Sequence, residues 1–191
     1  MQYFIENWVE ITGAAISVIY LILSIREKAG LWIFGFLSSL LYIRVFYHSK
    51  LYAEISLQLY YLFVSIYGWI TWKFKPEDAN KKKLEISRIE DKQILGYLLG
   101  TIGMFLVYFV ILKFLTDSPI PFADSVVGAL SIIGTWMLAK KKIENWLVWI
   151  VADAFAAGLY FYKGLYPTAI LFVVYTTMAI VGYFQWKKKN K

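Results

Sequence analysis

Apolar residues in this chain come in long uninterrupted runs separated by short polar gaps. Charge-free stretches cover Ile11–Ile25, Ala29–Ile43, Ile55–Trp72, Gln93–Leu112, Ser125–Ala139 and Gly164–Trp186. A seventh stretch, Asn145–Tyr162, is interrupted by one charge, Asp153. A spanning helix needs about 20 mostly apolar residues, within a range of about 17–25. The shorter runs reach that length once flanking Trp, Tyr, Lys and Arg sit at the interface. Trp8, Trp32, Trp69, Trp72, Trp146 and Trp186 fall near segment ends, where an aromatic belt would place them. The pattern therefore predicts an all-α integral membrane protein with seven transmembrane helices. Pro76–Lys92 reads as a loop between the third and fourth helices, and Asp117–Pro121 as a break between the fourth and fifth. The other connections are short, so neighbouring helices should be antiparallel. The first segment reads as a retained helix rather than a cleaved signal peptide. Its leading residues carry Glu6 and no Lys or Arg, and no small-residue cleavage site follows.

Composition narrows the class. Of the 191 residues, 60% are hydrophobic and only 17% charged, against about 45–50% and about 25% in soluble domains. A globule of this size cannot hide the excess. The absence of cysteine excludes disulfides, thiol catalysis and Cys-based zinc or iron–sulfur sites. With His48 as the single histidine, His-rich metal sites are excluded too. The P-loop, zincin and nucleophile-elbow signatures are missing, so neither an ATP-driven pump nor a hydrolase is expected, and no cofactor is implied.

The net charge of +7 becomes informative through its placement. With seven spans, one side of the membrane receives Lys50, Lys113 and Lys163. The other receives Arg26, Lys28, the basic residues of Lys73–Lys92, the Lys140–Lys142 run and the C-terminal lysines, 16 against three. The basic side is cytoplasmic by the positive-inside rule. The N-terminus is expected outside and the C-terminus inside, and the lysine runs act in topology rather than in nucleic-acid binding.

Shifted by 114 residues, the chain overlays itself without a gap. Glu10 meets Asp124, Ala15 meets Ala129, Ser17 meets Ser131, Ile19 meets Ile133 and Trp32 meets Trp146. Leu51-Tyr52 meets Leu165-Tyr166, Tyr61 meets Tyr175, Gly68 meets Gly182, and Trp72-Lys73 meets Trp186-Lys187. Each half holds three helices, and both run out-to-in, so they are parallel repeats. One extra crossing must then separate them. The expected arrangement is 3+1+3: a first triplet over residues 8–73, a cytoplasmic loop over 74–92, a linking helix over 93–115 and a second triplet over 122–187. Parallel repeats related by an axis along the membrane normal place a substrate site near the midplane. The alternative is a duplicated scaffold subunit with no transport role.

Asp153 is the informative polar residue. It lies about 12 Å into the sixth helix, where a charge costs about 2.5–3.5 kcal/mol on insertion scales. Trp146, Trp149 and Asp153 share one helical face, which Ala156, Ala157 and Tyr160 extend. Two indoles beside a carboxylate suit a flat organic cation. The competing reading has Asp153 bonded to neighbouring helices and the indoles serving as packing or anchors. Gln58, Tyr61, Ser65, Tyr175, Thr176 and Thr177 are further polar groups at membrane depth, able to bind substrate hydroxyls or another helix. Glu10 and Asp124 suit helix N-termini. Gly96, Gly100 and Gly103 form a small-residue face expected to contact a helix. His48 reads as a solvated interfacial residue.

The run Glu144-Asn145-Trp146-Leu147-Val148-Trp149, then Asp153, Lys163-Gly164-Leu165-Tyr166, Gly182 and Trp186, resembles the PnuC family of bacterial vitamin transporters. Ile120-Pro121-Phe122-Ala123-Asp124-Ser125 and Gly68-Trp69-Ile70-Thr71-Trp72 are similar as well. The likeness covers nearly the whole chain. It implies facilitated diffusion of nicotinamide riboside across the bacterial inner membrane, with trapping by a cytoplasmic kinase. It also implies a fold similar to the sugar-carrying SWEET proteins, assembled as a homotrimer. Family tryptophans that pack on the substrate match Trp146 and Trp149. The residue matching Asp153 is Asn in some nicotinamide riboside carriers, and a similar branch carries thiamine. Both vitamins are aromatic cations, which suit an Asp. The implied partners are therefore a cationic vitamin and the lipid bilayer, with Trp146, Trp149, Asp153, Tyr160, Gln58, Tyr61 and Tyr175 at the site.

Overall fold

The computed structural model describes residues 8–48, 52–74, 84–116 and 118–190. Seven α-helices follow in order: α1 (Trp8–Ile25), α2 (Leu31–His48), α3 (Tyr52–Lys73), α4 (Asp91–Phe114), α5 (Pro121–Ala139), α6 (Asn145–Tyr162) and α7 (Tyr166–Lys189). They coincide with the seven apolar segments. Local chemistry sets their ends. Glu90 and Gln93 form a capping box before α4, with the Glu90 N–H donating to Gln93 Oε1 at 3.4 Å. Pro121 and Pro167 stand in the first turns of α5 and α7, where a missing N–H breaks no helical bond. Three helix ends turn through the left-handed region, at Glu27, Lys141 and Gly164.

Helices α1, α2 and α3 pack in sequence, as do α5, α6 and α7, and the two triplets join where α3 meets α5 and where α1 meets α7. Helix α4 packs on α5. Buried tryptophans cement the end of the bundle that carries the lysines. Trp32 meets Trp72 edge-on with centroids 5.5 Å apart, and Trp146 meets Trp186 in the same way at 5.5 Å. Trp32 lies against Gly68 and Trp146 against Gly182, where an added Cβ would fall within 2.2 and 2.7 Å of the ring. Only glycine admits an indole that close. The outer indoles then cross between triplets: Trp72 Nε1 donates to the Ala139 carbonyl at 3.0 Å, and Trp186 Nε1 to the Ile25 carbonyl at 3.2 Å. Each indole thereby satisfies a terminal carbonyl that a helix leaves unpaired. Trp32, Gly68 and Trp72 recur 114 residues later as Trp146, Gly182 and Trp186, and the acceptor carbonyls of Ile25 and Ala139 stand at equivalent positions.

This overturns part of the aromatic-belt expectation. Trp32, Trp72, Trp146 and Trp186 are core residues, at most 5% exposed. They fall near segment ends because that is where the triplets interlock. Trp69 keeps a boundary-like role, with Lys73 Nζ 4.5 Å from its ring centre. The side chains of Trp8, Glu10 and His48 lie outside the described residues.

The second half of the loop before α4 is a strap bonded to the turn between α5 and α6. The Ser87 N–H donates to the Lys141 carbonyl, and the Ser87 carbonyl accepts from the Ile143 N–H, both at 3.0 Å. Ile89 N–H donates to Glu144 Oε2 at 3.0 Å, and Leu84 and Ile86 pack on the tryptophan core.

Much of the outer surface is apolar, including Phe63, Ile66, Leu98, Leu99, Val173 and Phe184. Helices α4, α5 and α7 are each long and apolar enough to cross a membrane. Gly96 and Gly103 face outward on α4, where an added Cβ would touch nothing within 4 Å; only Gly100 approaches another helix, at Ile133. Among the described residues, the expected small-residue contact is thus not made by Gly96 or Gly103.

Candidate functional site

Two adjoining cavities open inside the bundle, one mostly within the first triplet and one between the triplets. The larger, about 240 Å³, is lined by Ser38, Ser39 and Tyr42 of α2, Gln58, Tyr61 and Ser65 of α3, and Thr135 of α5. The smaller, about 140 Å³, is lined by Ser24, Leu138, Trp146, Asp153 and Tyr175. Ser17, Tyr20 and Trp149 line both, so they stand where the two meet. Six of the seven expected residues border this space. The seventh, Tyr160, does not. About two turns, or about 10 Å, beyond Asp153 along α6, Tyr160 lines a separate cavity with Asp124 and Tyr108. Its ring lies 5.1 Å from that of Phe172.

Asp153 is 5% exposed. Among the described residues it makes no ion pair; the pairs formed are Lys92–Glu90, Lys141–Glu27 and Lys189–Glu27. No hydrogen-bond partner is assigned to it either. Among the described residues, no neighbouring helix holds the carboxylate in the way the competing reading expects. A buried charge without a partner is costly unless something mobile supplies one.

The two tryptophans differ. Trp149 is half-buried, its indole edge over Gly134, where an added Cβ would fall 3.1 Å from Nε1. It offers a free surface to both cavities. Trp146 is 1% exposed and committed to Trp186 and Gly182; it is a wall of the smaller cavity. Its Nε1 has no acceptor among the described residues.

Tyr61 and Tyr175 turn out to be interlocked as well as cavity-lining. The Tyr61 hydroxyl meets the Ser131 side chain, and the Tyr175 hydroxyl meets that of Ser17. Each pair ties one triplet to the other. Thr176 and Thr177 bond back to the carbonyls of Phe172 and Val173 within α7. Asp124 accepts from the Ser118 hydroxyl at 2.7 Å in the first turn of α5, in keeping with a helix-start role.

Tyr20, Ser17, Ser38, Ser39 and Tyr42 were not singled out as site residues from the sequence. Tyr20 carried a faint signal. Its ring lies over Gly35, where an added Cβ would fall 3.2 Å from Cε2. Positions 20 and 35 correspond at the 114-residue offset to Gly134 and Trp149. Each triplet therefore sets one aromatic ring over one glycine, but from opposite helices of the pair. No group of three or more potential metal ligands occurs among the described residues.

A profile of the nicotinamide mononucleotide transporter family matches residues 7–188. The chain belongs to this family. It is 24% identical to the nicotinamide riboside transporter PnuC of Escherichia coli K12, over 94% of its own length and 85% of that protein's. Against the PnuC of Neisseria mucosa the identity is 26%, over 97% and 74%. It is also 23% identical to the riboflavin/roseoflavin transporter RibM of Streptomyces davaonensis, over 96% and 86%. The fold matches the crystal structure of the vitamin B3 transporter PnuC with a TM-score of 0.75, covering 97% of this chain and 84% of that one, at 24% identity. The expected PnuC likeness therefore holds. The family is one of membrane transporters, and its all-helical, multi-pass architecture is the one found here.

Proposed function

We propose that this protein carries nicotinamide riboside across the bacterial inner membrane by facilitated diffusion, with a cytoplasmic kinase trapping the vitamin. The observation that carries the reading is Asp153, a buried carboxylate without a hydrogen-bond or ion-pair partner among the described residues, beside the free face of Trp149 at the junction of two cavities. A pyridinium ring stacked on the indole would be attracted by the ring and neutralised by the carboxylate. Ser38, Ser39 and Gln58 on the larger cavity offer hydrogen bonds to a sugar. Trp146 bounds the ring, and Tyr61 and Tyr175 hold the triplets in register around it.

The same reading treats residues 8–73 and 122–187 as parallel repeats about an axis along the membrane normal. Residues 74–92 form the cytoplasmic loop and 93–115 the linking helix. The contacts recurring at the 114-residue offset support this. The N-terminus lies outside and the C-terminus inside, supported by the lysine distribution. The homotrimer rests on the family resemblance.

Thiamine is a second reading, because thiamine too is an aromatic cation and the Asp153 carboxylate suits either vitamin. Riboflavin, carried by one relative, is neutral and would leave Asp153 unpaired. Binding of all three vitamins to the purified protein tests the assignment. Nicotinamide riboside should bind most tightly; tighter thiamine binding reassigns the substrate, and riboflavin alone overturns the cation argument. In liposomes holding only this protein, labelled vitamin should equilibrate without accumulating, whatever sodium or proton gradient is applied at zero voltage.

A further inference from the structure

The turns that end α1 and α5 are built alike. Glu27 N–H bonds the Ser24 carbonyl and Lys28 N–H that of Leu23; Lys141 N–H bonds Leu138 and Lys142 N–H bonds Met137. Glu27 has φ 59° and Lys141 has φ 52°. Helices that end this way usually place glycine at the left-handed position, which side chains occupy under strain. The end of α6 follows the rule with Gly164 at φ 73°. The ends of α1 and α5 put opposite charges there instead, and the charges meet. Lys141 Nζ lies 2.6 Å from Glu27 Oε1, the lysine side chain only 4% exposed. Positions 27 and 141 correspond at the 114-residue offset. Two equivalent positions that touch each other lie on the axis relating the triplets. Lys189 adds a second bond to Glu27 at 3.3 Å, and Lys141 Nζ sits 4.7 Å from the Trp72 ring centre.

This cluster stands at the floor of the site. Ser24 and Leu138 line the smaller cavity, and each precedes one of the charged residues by three positions. Beside the ion pair, the Trp72 and Trp186 indoles bond across to the opposite triplet. Every one of these contacts joins one triplet to the other.

We propose that Glu27, Lys141, Trp72 and Trp186 form the inner gate of the carrier, a latch on the pseudo-twofold axis that closes the cavity to the lysine-rich side and opens as one set when the triplets separate. The proposal rests on the transporter reading above, but not on which vitamin is carried. Strained turns bearing paired charges make sense in a contact that must close firmly and also break.

The chain has no cysteine, so Ser24→Cys supplies a single reporter on the cavity floor. In proteoliposomes, an impermeant thiol reagent reaching the lysine-rich face should label it slowly. Glu27→Gln and Lys141→Gln should each raise that rate at least fivefold. Glu27→Gly, which relieves the left-handed strain, should raise it as well without lowering the melting temperature. The swap Glu27→Lys with Lys141→Glu, carried with Lys189→Gln so that no second lysine faces residue 27, should restore slow labelling. The new lysine would then face Trp186 as Lys141 faces Trp72. Faster labelling through the opposite membrane face would invert the topology and keep the latch. If the neutral variants only lower the melting temperature and label as the parent does, the pair is a fold staple and the gate is overturned. Fast labelling that the swap fails to slow overturns the pairing on the axis.

Discussion

Asp153→Asn separates a binding charge from a structural one. The amide keeps the volume of the carboxylate, and among the described residues no assigned hydrogen bond or ion pair is lost. For a cationic ring about 5 Å from the carboxylate, an effective dielectric of about 20 gives roughly 3 kcal/mol of attraction. The ligand surrenders hydration on entry, so about 1–2 kcal/mol should remain, or roughly five- to thirtyfold in dissociation constant. Stability should move the other way. A charge at mid-membrane costs about 2.5–3.5 kcal/mol on insertion scales, and an amide costs less, so the melting temperature should hold or rise. The assay is calorimetric titration and a thermal melt on one preparation, with a neutral isostere of the vitamin as control. Affinity for the cation should fall, affinity for the neutral isostere should not, and stability should be kept. Unchanged cation affinity removes Asp153 from the site. A lower melting temperature with unchanged affinity shows that the carboxylate holds helices together, which refutes the reasoning.

Trp149→Ala should weaken cation binding by about 1–2 kcal/mol through lost stacking and cation–π attraction, with a smaller loss for Trp149→Phe on the same titration. Gly182→Ala places a Cβ 2.7 Å from three atoms of the Trp146 ring, so it should cost about 1–3 kcal/mol by overpacking, read as a lower melting temperature that Trp146→Phe partly recovers. For the topology, Ser118→Cys should react with an impermeant reagent from outside and Arg88→Cys only after the membrane is opened. Burial pushes the Glu27 carboxyl up, but Lys141 and Lys189 outweigh it and hold it below the usual carboxylate range. Its contribution to stability is thus fully present above the unfolded value near 4.5 and lost as pH falls through the lower folded value. The drop in melting temperature between pH 5 and pH 3 should be shallower in Glu27→Gln.

The linear pattern was enough for the seven helices and their family, because a bilayer demands long apolar runs, internally bonded backbone and flanking charges. It also drew attention to Asp153 and Trp149, since a mid-membrane carboxylate near an indole is conspicuous at helical spacing, and both line the smaller cavity. Tertiary structure decided what each aromatic does. Trp146 and Trp149 are three residues apart and look alike in sequence, yet Gly182 lets one sink into the core while the other keeps a face on the cavity. Tyr160 fits the same stripe and misses the central cavities, because it stands about 10 Å further along the helix axis than Asp153. Tyr20 enters it only because Gly35 leaves room on the neighbouring helix. The contact between Glu27 and Lys141 was invisible as two unremarkable loop charges. Spacing along one helix reports which residues share a face; which face meets a cavity, a glycine or an equivalent residue depends on how the triplets pack, and no single segment encodes that.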